Sequence, residues 1–148
     1  MSTEHWQRLA PPDVSDRAEV VWRWEISRPA QLTAARGALR NDLAGDGLPE
    51  GADADDVDRL LLAFEELASN GLRHTGQPVT VAVTGTARGW LINVSDARPD
   101  HPPVPAVDRD PAFGGLGLHL IARLAASHGW TPIGGRKHVW ACLTPASA

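Results

Sequence analysis

Glu66 and Asn70 stand four residues apart in the run Leu61-Leu62-Ala63-Phe64-Glu65-Glu66-Leu67-Ala68-Ser69-Asn70-Gly71-Leu72-Arg73-His74. On a helix this spacing puts both side chains on one side, with Arg73 beside them. A carboxylate next to a carboxamide offers one charged and one neutral oxygen, a donor set suited to a hard cation such as Mg²⁺. The same spacing also describes a solvated polar face. Two features downstream bear on the choice. Asp96 follows Ile92-Asn93-Val94-Ser95 at a strand end. Its carboxylate can accept a hydrogen bond from an exocyclic amino group, or it can start a turn through Asp-Ala-Arg-Pro. Gly114-Gly115-Leu116-Gly117 then precedes a helical pattern. A helix start offers unpaired N–H groups and a positive dipole end, and glycines let phosphate oxygens approach the backbone. The cluster is not a dinucleotide-binding fingerprint, because the final glycine is missing and no strand precedes it. Nor is it a Walker A loop, since no Lys-Ser/Thr follows. By itself such a cluster is more often a turn than a phosphate cradle.

The elements that must hold these residues follow from periodicity. Val20 to Ile26 alternates as a half-buried strand, with Trp22, Trp24 and Ile26 on one face. Ser27 and Pro29 suit a helix start, and Leu32, Ala35, Leu39 and Leu43 recur at helical spacing up to a loop at Gly45, Gly47, Pro49 and Gly51. Asp53, Asp55, Asp56 and Asp58 open the next helix, where acids favour the positive dipole end. Its apolar side carries Leu60, Phe64, Leu67, Ala68 and Gly71, and Gly76 closes it. Val79–Val83 and Trp90–Val94 make an antiparallel hairpin around Ala87-Arg88-Gly89. From Arg98 to Phe113 five prolines exclude helix and strand, leaving a binding-site lid or an unstructured excursion. Leu118 to Ser127 reads as a third helix, and Gly134-Gly135 leads into a final strand, His138 to Leu143. The order β, α, α, β, β, lid, α, β predicts an α+β fold, a two-layer sandwich with helices on one face of a mostly antiparallel sheet. Residues 1–18, with Pro11-Pro12, read as a loose N-terminal arm, and 19–148 as one domain.

A chain of 148 residues can bury roughly 68–70% of its unfolded surface. A net charge of −4 with no Lys/Arg stripe gives no reason to expect nucleic acid. No apolar run approaches the ~20 residues of a membrane span, and Met1 to Trp6 lacks the regions of a signal peptide, so a cytoplasmic protein is expected. Cys142 is the only cysteine, which excludes an intramolecular disulfide and a cysteine-rich zinc site. The six histidines show no ligand spacing for a transition metal.

Taken in order, Glu66-x-x-x-Asn70, Asp96 and Gly114-Gly115-Leu116-Gly117 resemble the signature of the GHKL ATP-binding superfamily of gyrase, Hsp90, MutL and histidine kinases. Within it the chain, from about Glu19 to Leu143, looks most like the anti-sigma-factor serine/threonine kinases of bacterial partner switches. The resemblance implies a Bergerat-type sandwich that binds ATP or ADP with Mg²⁺. Glu66 would orient or deprotonate the attacking hydroxyl, Asn70 would ligate Mg²⁺, and Asp96 would read the adenine amino group. The segment Gly114, Gly115, Leu116, Gly117 and Leu118 would hold phosphates, and His74 occupies a position where these kinases also carry His. Where such kinases read Gly-Lys-Thr-Val-Trp, this chain has Arg136-Lys137-His138-Val139-Trp140, so His138 replaces a small hydroxyl on the adenine side. The Gly-x-Gly usual after the Asp is absent, but Asp96-Ala97-Arg98-Pro99 matches the Asp-x-x-Pro of one branch. Arg98 and Arg109 are lid residues that would neutralise the γ-phosphate. The implied partners are a sigma factor and a small antagonist protein phosphorylated on serine or threonine, with homodimers common in the family. The alternative is a nucleotide-binding module that sequesters a partner and transfers nothing. A histidine-kinase catalytic domain fits poorly, because the first 50 residues offer one strand and one helix rather than a two-helix dimerisation domain.

Overall fold

The computed structural model describes residues 6–44, 49–98 and 116–146. The elements run β1 (Val20–Ile26), α1 (Pro29–Leu43), α2 (Ala54–Thr75), β2 (Val79–Thr86), β3 (Gly89–Asp96), α3 (Leu116–Leu124), β4 (Ser127–Ile133) and β5 (Arg136–Leu143). All strand pairs are antiparallel, in the order β1-β2-β3-β5-β4, and the helices pack on one side of the sheet. This is the α+β sandwich that the sequence predicts.

Alternation decides which residues meet the helices. Val79, Val81 and Val83 of β2, Ile92 and Val94 of β3, and Val139, Ala141 and Leu143 of β5 are buried and lie across from one another in register. Leu60, Phe64, Leu67 and Ala68 of α2 come down on them, and Trp24 of β1 meets Phe64 edge-on at 5.3 Å between ring centroids. Gly71 lets α2 settle against the sheet. A Cβ there would stand 3.0 Å from Val79 Cγ1 and 3.4 Å from Val94 Cγ1, closer than packed carbons sit.

Both ends of α2 are built as the sequence indicates. Asp53 is the N-cap of a capping box: its Oδ1 accepts from Asp56 N at 3.0 Å and Asp56 Oδ2 accepts from Asp53 N at 2.9 Å. Gly76 ends the helix in the left-handed region at φ 63°, where a side chain would be strained. Asp56 does more than cap. It is buried, pairs with Arg59, and its Oδ1 accepts from Ala146 N at 3.0 Å, tying the C-terminal stretch to the start of α2. Asp56→Ala breaks all of these together and should destabilise the fold by about 2–4 kcal/mol in chemical denaturation. Asp58→Ala, on an exposed neighbour, should shift it by about 0.5 kcal/mol or less.

Three local expectations give way. The third helix begins two residues earlier than its pattern predicts and ends three earlier, because β4 follows at once. That strand is hidden in the sequence by Gly129 and Pro132, yet it lies at the sheet edge, where a proline removes no ladder bond to a neighbour. The N-cap of α1 is Arg28 without a side-chain cap, not Ser27. The arm is not loose at residues 6–9. Leu9 N donates to Trp130 O at 2.8 Å, Trp130 N donates to Gln7 O at 3.0 Å, and Arg8 bridges Trp130 in parallel, so the arm adds to the β4 edge. Trp6 is 4% exposed and packs against His128, while Trp140 Nε1 donates to Leu9 O at 2.7 Å. Among the described residues no helix is long and apolar enough to cross a membrane.

Candidate functional site

The chemistry-bearing residues converge at the end of the sheet where β3 stops and β5 starts. Glu66 and Asn70 lie one turn apart on α2, about 6 Å along its axis. Gly71, next to Asn70, rests over Val94, and Asp96 is the next residue of β3 on that same face. Asn70 is not on a solvated face: it is 3% exposed, and its Oδ1 has no hydrogen-bond partner among the described residues. A buried carboxamide oxygen without a donor is a rare and unfavourable arrangement unless something supplies one. An oxygen of this kind fits a hard cation.

Glu66 is half-buried, and its side chain lies directly against Gly117 in the first turn of α3. A Cβ on Gly117 would overlap the Glu66 carboxylate, so the glycine makes room for it. Burial raises the Glu66 pKa above the usual carboxylate range; the Arg73 charge opposes this and the Glu65 charge adds to it. A carboxylate held this way is a better proton acceptor than a surface glutamate. The contact between Glu66 and Gly117 leaves no trace in the sequence, because it joins two helices fifty-one residues apart.

Asp96 is 1% exposed, and each of its carboxylate oxygens has a partner. Its Oδ1 accepts from Arg98 N at 2.8 Å, the turn contact that Asp-Ala-Arg-Pro suggests. Its Oδ2 meets Lys137 Nζ at 3.5 Å, and Lys137 is itself 3% exposed. Lys137 stands directly across from Asp96 in the β3–β5 register, on the helix-facing side with Val139 and Ala141. His138 therefore points to the other face. It pairs in register with Ser95, and its Nδ1 lies 3.2 Å from Asn93 Oδ1. Burial and the Arg136 charge lower its pKa from 6.5, against an opposing pull from Asp96. The structure thus places Lys137, not His138, on the side of Asp96. The alternation of Val139, Ala141 and Leu143 carries that signal in the sequence. Arg136 adds a clamp across the same strand ends, with Nη2 donating to Ser95 O at 2.9 Å and Nε to Ser95 Oγ at 3.3 Å.

Of the remaining candidates, Leu116 and Gly117 fall inside α3, and the Leu118 side chain is buried in the apolar core. His74 belongs to the last turn of α2. Gly114, Gly115, Arg109 and the proline-rich segment after Arg98 lie outside the described residues.

A family model described as histidine kinase-like ATPase domain matches residues 26–143, from the end of β1 through β5. Among the curated proteins, none matches the chain.

Proposed function

Since the chain belongs to the family of histidine kinase-like ATPase domains, we propose that it binds Mg²⁺·ATP and passes the γ-phosphate to a serine or threonine of a partner protein. The partner-switch resemblance makes that substrate a small antagonist and the regulated protein a sigma factor, with a homodimer as the acting form. The observation that carries this reading is the buried Oδ1 of Asn70, without a hydrogen-bond partner among the described residues and one helix turn from a half-buried glutamate.

The roles follow from what phosphoryl transfer demands, which is positioning and charge neutralisation. Asn70 would hold Mg²⁺ through its carboxamide oxygen. Bound there, the ion would neutralise charge on the phosphates. Glu66 would receive the proton of the attacking hydroxyl as the new P–O bond forms and ADP leaves. Asp96 would accept a hydrogen bond from the adenine amino group through a lone pair left by Arg98 N and Lys137. The backbone from Gly114 to Leu118 would face the phosphates, and the first turn of α3 is where an anion gains most from the helix dipole.

Gly117 links binding to chemistry. Gly117→Ala should leave the fold intact, since alanine favours a helix, but it must push the Glu66 carboxylate aside. Transfer should slow by about 10- to 100-fold while the melting temperature holds. Unchanged transfer would show that the Glu66 position is not needed.

One observation favours a second reading, a module that binds nucleotide and sequesters a partner without transfer. Asp96 is already held by Lys137 and Arg98, so nucleotide binding here differs from a bare carboxylate reading the base. Incubation of the purified chain and its co-purifying partner with γ-labelled ATP separates the two. Label on a partner serine or threonine supports the kinase; ATP-dependent capture without label supports the module.

A further inference from the structure

The N-terminal arm crosses the face of the sheet turned away from the helices. It is tied at one end, where Trp140 Nε1 donates to Leu9 O, and at the other, where Glu19 N donates to Gly85 O at 2.8 Å. Between these ties lies a hollow of about 150 Å³. Leu91 and Cys142, partners in the β3–β5 register, line it from the sheet, and Pro12 and Val14 line it from the arm. Packed interiors leave few voids larger than a water molecule, so a strap held at both ends over a hollow of this size leaves room for a guest. An apolar cavity of about this volume takes up a benzene ring. Charge is the second feature. Among the described residues, the charged groups that line the hollow are Arg17 and Arg88, and no carboxylate does. Both arginines are exposed, and the Arg17 contact with Asp16, 4.0 Å between Nε and Oδ1 in open solvent, is a weak one. Burial raises the Cys142 pKa, while the Ser127 hydroxyl and then the Arg17 charge oppose it, so that charge reaches the thiol in the wall.

We propose that this hollow binds a small aromatic carboxylate, its ring against Leu91, Cys142, Pro12 and Val14 and its charge within reach of Arg17 and Arg88. The ring suits the volume and the apolar walls. The planar guanidinium groups suit the anion, because their paired N–H donors match the two carboxylate oxygens. The site is separate from the one described above. Leu91 and Asp96 stand five residues apart on β3, about 17 Å along the strand, so this guest and a nucleotide would occupy opposite ends of it. The assignment stands whether or not the chain binds nucleotide. Because the walls come from both the arm and the sheet, a bound guest also fastens one to the other.

The test is a calorimetric titration of the full chain with benzoate, benzyl alcohol and acetate, with backbone amide shifts recorded by NMR on the same samples. Benzoate should bind with a Kd of about 1 mM or tighter. Benzyl alcohol keeps the ring without the charge, and acetate keeps the charge without the ring. Each should bind at least about threefold more weakly than benzoate, a modest margin because the arginines are exposed. The benzoate-induced shifts should centre on Val14, Leu91 and Cys142 and spare Asp96. In the double variant Arg17→Gln, Arg88→Gln, which changes exposed side chains alone, benzoate should lose its advantage over benzyl alcohol. Absence of benzoate binding to the wild type would overturn the proposal, and that measurement needs no variant to fold. Shifts centred elsewhere, or a preference for benzoate that survives the loss of both arginines, would overturn it as well.

Discussion

Glu66→Gln should leave ATP affinity within a few fold and slow phosphate transfer by roughly 10²–10⁴, the usual worth of a positioned base. The substitution keeps shape, polarity and the contact with Gly117, so it isolates the carboxylate as a proton acceptor. Because transition states for phosphoryl transfer are loose, proton removal is one contribution among several, which sets the lower end of the range. The wild-type pH profile adds a second check. Burial raises the Glu66 pKa, so the base is lost to protonation at a higher pH than for an exposed glutamate. The transfer rate should therefore climb with pH through a midpoint above 4.5, the ordinary value, and that limb should vanish in Glu66→Gln. Single-turnover transfer on a sample whose ATP affinity has been measured reads both effects; normal transfer would end the base role.

Asp96→Ala should be costly twice over. It removes the carboxylate that faces the buried Lys137 charge, a change that typically destabilises by about 3–5 kcal/mol, and it removes the contact to Arg98 N. It also deletes the hydrogen bond to the base, about 1.5–3 kcal/mol or roughly 10- to 150-fold in ATP affinity. Asp96→Asn separates the two losses. It can still accept from Arg98 N but no longer balances the Lys137 charge, so stability should fall less than in the alanine variant while affinity still drops. Before any substitution, ATP and ADP should bind and GTP should bind far more weakly. Denaturation curves and nucleotide titrations of the same samples decide it; equal GTP affinity in the wild type would take Asp96 out of base recognition.

How far the sequence announces this structure depends on whether a signal is local. The capping box at Asp53 and Asp56, the glycine stop at Gly76 and the β2–β3 hairpin follow from short-range chemistry, and the structure forms each. β4 does not announce itself, since its strand pattern is broken by residues that only an edge position tolerates, and its second neighbour is an arm more than a hundred residues away. Trp6 could not be placed for the same reason: its partners come from the far end of the chain. In the site, the spacing of Glu66 and Asn70 is legible, but their burial is not, because it depends on how closely Gly71 lets α2 approach Val79 and Val94. A motif match points to His138 on the adenine side, and the site residue on that strand is not fixed by the match alone. Strand alternation, counted back from Leu143, puts Lys137 on the face of Asp96 and His138 on the other.

The most direct test of the account is a calorimetric titration of the chain with ATP, in Mg²⁺ and again after chelation, beside Asn70→Ala. Binding should be saturable and depend on Mg²⁺, and it should weaken by about 10- to 100-fold or more when the Asn70 oxygen is removed, as for loss of a group that orders a metal site. Absence of binding, or binding indifferent to both Mg²⁺ and Asn70, would contradict it.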